Sequence, residues 1–101
     1  MKTKRRRLIR EIVGGEPYEY YSLGEHVVSA PGVCGGRPTF KYTRIEVGIF
    51  LESLACGYSL NKLLMGYGGR VTQEAVEEAA SLAHQALLKH VPRRTPAARS
   101  T

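Results

Sequence analysis

The sequence predicts an α+β chain, with short β-strands first and three helices after them. Up to about residue 42, β-branched and aromatic residues come in short alternating runs broken by glycine and proline turns. From Val47 the apolar period changes to that of a helix with one buried face. Beyond it, Ser59 and Thr72 stand at helix-capping positions and Pro92 at a stop. A chain of 101 residues, 43% of them apolar, fits one domain with one modest core.

Residues 1–7 read as a mobile basic arm. Leu8–Val13 reads as a strand closed by the turn pair Gly14-Gly15. Tyr18–Tyr21 and His26–Ser29 are β-prone and separated by Leu23-Gly24, which predicts a hairpin or edge pair. Ala30–Pro38 is dense in turn formers, and Thr39–Tyr42 alternates again as a strand leading into a helix. The domain is thus expected over 8–91, with its strands within 8–42.

Val47, Phe50, Leu51, Leu54 and Ala55 fall on one face of a first helix, over about 46–56, ending at Gly57. Ser59 caps a short second helix over 59–66, with Leu60, Leu63 and Leu64 inward. Thr72 caps a third over 72–91, and Val71 with Val76 has the spacing of a hydrophobic staple. At about 1.5 Å per residue this last helix would be nearly 30 Å long. Residues 92–101 read as a disordered basic tail.

The net charge of +6 belongs to the ends. Six cations against Glu11 give +5 over residues 1–12, and Arg93, Arg94 and Arg99 give +3 over 91–101, leaving −2 for the stretch between. Basic ends suggest flexible arms; a basic body would have suggested a fixed nucleic-acid groove. No apolar run approaches the roughly 20 residues of a membrane span. No apolar stretch follows Met1–Arg7 as in a secretion signal, so a cytoplasmic protein is expected. Cys34 and Cys56 are then expected as thiols, Cys56 as a small buried hydrophobe.

The stretch from His26 to Ala83 carries a recurrent pattern. Its elements are Val33-Cys34-Gly35-Gly36-Arg37-Pro38, Thr43-Arg44-Ile45-Glu46-Val47, Ala55-Cys56-Gly57-Tyr58-Ser59, Tyr67-Gly68-Gly69 and Thr72-Gln73-Glu74-Ala75-Val76. In this order they resemble the family known as domain of unknown function 433. The resemblance implies a three-helix, homeodomain-like helix-turn-helix bundle after the strands. It also implies a VapB-type antitoxin acting on a PIN-like ribonuclease toxin. The family usually has glycine just before Thr-Arg, where this chain has Tyr42. A positive φ would strain tyrosine there, so a different local turn is expected.

Cys34–Pro38 has paired glycines that could face an anion, but no lysine and Ser/Thr follow in phosphate-loop spacing and no helix starts behind it. A tight turn is the better reading. Thr43 can cap the first helix. Arg44 can brace the strand–helix junction as an ion pair, or contact a phosphate. His26, Cys34, Cys56, His84 and His90 show no paired ligand spacing, so neither metal nor cofactor is expected. The chain contains no aspartate, and a PIN-type nuclease needs clustered carboxylates for its metal. An enzyme is therefore not expected.

The third helix carries the partner prediction. Val76, Ala79, Ala80, Leu82, Ala83, Ala86 and Leu87 form a broad apolar stripe that two short helices cannot wholly cover, so a dimer or partner interface is expected there. Candidate DNA contacts are Lys4, Arg5, Arg6 and Arg7 on the arm, and Arg70, Thr72 and Gln73 at the helix start. Glu74, Glu77 and Glu78 in its first turns oppose phosphate. Two functions stay open: an antitoxin-like regulator that dimerises, binds a PIN-like nuclease and its operator, or an interaction module without DNA binding.

Overall fold

A computed structural model describes residues 6–92. Four strands form one antiparallel sheet in sequential order: β1 (Leu8–Val13), β2 (Glu16–Ser22), β3 (Val27–Ser29) and β4 (Thr39–Phe40). Gly14 and Gly15 join β1 to β2 with φ of 59° and 83°. Two successive positive φ values match the twist of a two-residue hairpin, and glycine reaches them without a Cβ clash. The register then runs from Val13 opposite Glu16 to Leu8 opposite Tyr21.

Three helices follow: α1 (Val47–Ala55), α2 (Leu60–Gly66) and α3 (Gln73–Lys89). Ser59 and Thr72 cap α2 and α3 as their side-chain chemistry predicts, accepting from the N–H groups of Lys62 and Ala75. The α3 ladder stops at Lys89. His90 and Val91 bond back to Leu87 and Leu88 as a tightened last turn before Pro92.

Successive residues of β3 point to opposite faces, and each face has its own core. Val27 and Phe40 face the helices, packing with Val47, Phe50, Val71, Ala75, Val76 and Ala79. Val28 faces the other way and packs with Tyr20 and Ala30, under the Ala30–Pro38 segment. That segment holds a short 3₁₀ turn at Cys34–Gly36, with Gly35 and Gly36 at φ 65° and 84°, the tight turn expected of paired glycines.

The α+β composition stands, but the homeodomain-like helix-turn-helix bundle does not. What the chain has is a four-stranded antiparallel sheet followed by three helices that share their core with the sheet. All three helices pack into the core that also holds Val27 and Phe40 of the sheet, so they form no separate bundle. The link from Gly66 to Gln73 also exceeds the roughly 3–4 residues of a helix-turn-helix turn. The start of α3, which would have to enter a groove, is tied to the sheet by Glu78.

Four local expectations are also corrected. Tyr42 keeps the left-handed conformation, at φ 68°. Its N–H donates to the Tyr18 hydroxyl at 2.9 Å and its own hydroxyl donates to Glu11 at 2.7 Å, which offsets the strain and ends β4 at Phe40. Thr43 does not cap α1; its hydroxyl donates to the Phe40 carbonyl and accepts from the N–H of Ile45, shaping the turn one step earlier. Arg44 is exposed, and the ion pair at this junction is Arg37–Glu46, at 2.9 Å. Cys56 is exposed, because it lies past the end of α1 rather than on its inner face.

Candidate functional site

One apolar stripe runs the length of α3, and the fold uses only half of it. Residues three and four apart share a helix face, so Ala75, Val76, Ala79, Leu82, Ala83, Ala86 and Leu87 follow one another along a single side. Ala75, Val76 and Ala79 are buried, at 4%, 7% and 2% exposure. Leu82 and Ala83 are half-buried, and Ala80 and Ala86 are exposed. Leu87 is 68% exposed, with Leu88 and Val91 at 58% and 55%. The reason is length: the sheet and short helices support α3 as far as Leu82, which still packs against the core, and the rest projects beyond them. Val76 and Ala79, expected at an interface, are therefore consumed by the chain's own core. Leu82, Ala83, Ala86 and Leu87 remain accessible to a second molecule.

The start of α3 is anchored by Glu78. Its carboxylate accepts the N–H of Glu25 and the N–H of His26, both at 2.6 Å, closing the β2–β3 turn onto the helix. Gly24 makes room for it, since a Cβ there would lie 2.5 Å from the Glu78 carboxylate. Sequence reading placed Glu78 among the surface acids of α3; nothing local distinguishes it from Glu77.

Beside this anchor lies an open cleft of about 340 Å³, between the turn before β3, the residues after β4 and the start of α3. Arg70 and Thr72 line it together with His26, Lys41 and Glu25. Thr72 is occupied as a cap, and the Gln73 amide donates to Glu77 at 3.3 Å. Of the arm, Arg6 donates to the Ser22 carbonyl and Arg7 is exposed, while Lys4 and Arg5 lie outside the described residues. The candidate DNA contacts are thus split between the hairpin edge and this cleft, and Glu74 and Glu77 are exposed on the first turns of α3.

A polar cluster on the outer sheet face escaped the sequence reading. Glu11 accepts from the hydroxyls of Tyr20 and Tyr42, both at 2.7 Å, and these two bonds hold its carboxyl below the ordinary 4.5. Lys41 Nζ stands 5.1 Å from the centres of both rings, and Tyr18 stacks against Tyr20 and Tyr42. Bonding to Glu11 raises the pKa of both hydroxyls. With Glu11 and the Tyr18, Tyr20 and Tyr42 hydroxyls bonded within the cluster, its evident role is to brace β1 against the segment after β4. Alternation places Glu11, Tyr18 and Tyr20 on one face, but the left-handed Tyr42 that completes the set is not legible from pattern.

Among the described residues no group of three or more His, Cys, Asp or Glu side chains could hold a metal ion. No described helix is long and apolar enough to cross a membrane. No curated protein and no solved structure matches the chain. A family model does match, over residues 27–83, more than half of the chain and the stretch from β3 through most of α3; its description is protein of unknown function (DUF433). The chain belongs to the DUF433 family.

Proposed function

We propose that this chain is an antitoxin-like binding protein that captures a second protein on the projecting half of α3. The burial gradient along one continuous stripe carries the reading. Contiguous apolar surface that a fold leaves bare at the end of a helix marks a contact with another protein. Small residues, Ala80, Ala83 and Ala86, let a second helix approach closely, and Leu87 supplies the anchor. The partner class we assign is a PIN-like ribonuclease, on the family resemblance. The chain's own part is occlusion rather than chemistry.

Coexpression with a PIN-like nuclease encoded beside this chain tests it. A stable one-to-one or higher complex and loss of nuclease activity are expected, and Leu87→Glu should weaken binding at least about tenfold, the equivalent of one buried apolar anchor. No complex with the wild-type chain, or equal binding by Leu87→Glu, rejects the proposal.

Operator DNA is the second reading, favoured by the exposed Arg7 and Arg70. A gel shift with the upstream promoter at about 50 mM salt, where phosphate contacts are strongest, decides it. The absence of a shift leaves a protein-interaction module without DNA binding.

A further inference from the structure

The structure assigns β1 as a docking edge for a second copy of this chain, paired antiparallel about a two-fold axis. The two edges of the sheet differ. At one end β4 is two residues long and Glu46 bridges to Thr39. At the other end β1 is six residues long, with the sequence Leu-Ile-Arg-Glu-Ile-Val and, among the described residues, strand pairing on one side only. It carries no proline, no lysine and a continuous register, so of the usual devices that blunt an edge only the charges of Arg10 and Glu11 are present.

The hairpin fixes which backbone groups face outward. In a two-residue hairpin the closing pair, Val13 with Glu16, is hydrogen-bonded, and bonded and non-bonded pairs alternate from there. Val13, Glu11 and Ile9 therefore aim their N–H and C=O at β2, whereas Leu8, Arg10 and Ile12 aim theirs away from it, with no partner strand among the described residues. Pro17 fits this assignment. It stands opposite Ile12, in a non-bonded pair, where its missing N–H removes no bond to β1.

Two-fold symmetry then selects a register. An axis normal to the sheet keeps each face on its own side, so paired residues must share a face. One register uses all three outward residues: Leu8 opposite Ile12 of the second copy, Arg10 opposite its own equivalent, and Ile12 opposite Leu8. It would form about six backbone bonds across the junction. Leu8 and Ile12, 43% and 70% exposed here, would cover each other twice. The two Arg10 side chains meet at the axis, but each has Glu19 Oε2 at 3.2 Å, which supplies the compensating charge. A second copy presents isoleucine opposite Leu8 and leucine opposite Ile12 by symmetry, and brings a Glu19 to each Arg10. This surface lies on the hairpin and is independent of the capture reading on α3.

Sedimentation velocity of the full chain from roughly 1 µM to 1 mM, spanning weak to moderate affinity, tests the assignment. The wild type should show a concentration-dependent dimer. Ile12→Lys should raise the dissociation constant at least about tenfold. Hydrogen exchange at high concentration should slow at the amides of Leu8, Arg10 and Ile12 and stay unchanged at Ile9, Glu11 and Val13. A monomer throughout that range overturns the proposal. So does a dimer that survives Ile12→Lys, and one lost with Leu87→Glu instead would place the copy on α3. Protection of the three outward amides only when a foreign strand-forming protein is added would show a heterologous occupant and likewise overturn it.

Discussion

Replacing Gly24 with alanine should destabilise the chain through one contact 54 residues away. A Cβ at position 24 would stand 2.5 Å from one Glu78 oxygen and 2.6 Å from its carboxyl carbon, closer than atoms can pack. Glu78 cannot swing aside freely, because it accepts from the N–H groups of Glu25 and His26 at 2.6 Å each. Hydrogen bonds to a charged group contribute about 1.5–3 kcal/mol each when sheltered. Glu78 is half-buried and Glu25 exposed, so we take about 1 kcal/mol per bond, or about 2 kcal/mol in all. For a domain of this size that lowers Tm by about 8–16 °C.

Urea unfolding of Gly24→Ala, Glu78→Ala and the double variant measures it. Each single change should cost about 2 kcal/mol. With Glu78 shortened to alanine, the three contacts under 3 Å are gone, and Gly24 does not adopt a positive φ. Gly24→Ala should then be neutral or stabilise by up to about 1 kcal/mol, through the lowered entropy of the unfolded chain. The coupling energy is therefore about 2 kcal/mol or more. Additive costs, within about 0.5 kcal/mol, would refute the contact as the cause.

Three further outcomes are expected. Thr39 is fully buried and its hydroxyl has no hydrogen-bond partner among the described residues, so Thr39→Val should be neutral or raise stability by up to about 2 kcal/mol in urea melts. The Tyr20 and Tyr42 hydroxyls depress the pKa of Glu11 from 4.5, so its contribution is complete above that value and lost as pH falls through the lower folded value. The combined change Tyr20→Phe and Tyr42→Phe should flatten the fall in the unfolding midpoint between about pH 5 and 3, and an unchanged acid limb would remove Glu11 from the account. Leu87→Glu should leave Tm within about 3 °C of wild type, since Leu87 contributes little to the core; a larger drop would mean that the end of α3 is covered in the free chain.

The elements legible in the sequence were those that local chemistry decides. Ser59 and Thr72 satisfy orphan N–H groups within three residues of themselves, so their capping roles need no knowledge of the rest of the fold. Gly14-Gly15 sets its hairpin in the same way. What stayed hidden depends on distant partners. Tyr42 holds a left-handed conformation because Glu11 and Tyr18, 31 and 24 positions earlier, take its polar groups. Glu78 reads as one surface acid among three until the sheet brings the β2–β3 turn beneath it. The stripe on α3 was legible as apolar, but not where its burial stops; that boundary follows from how far the sheet and the two short helices extend.

The helix-turn-helix expectation failed for a reason that bears on function. A recognition helix must present its first turns, whereas here those turns are spent on the fold: Ala75, Val76 and Ala79 enter the core and Glu78 clamps the sheet. The surface of α3 left over is its far half, which is apolar and suits protein rather than phosphate. Meanwhile β1, at one end of the sheet order, has an edge without a partner strand among the described residues and no large role in the core. One end of the chain is thus available to a copy of itself and the other to a different protein, without competition for the same residues. The pair of variants Ile12→Lys and Leu87→Glu separates the two. Each should abolish one association and leave the other intact, and loss of both with Ile12→Lys alone would show that capture of the second protein requires the dimer.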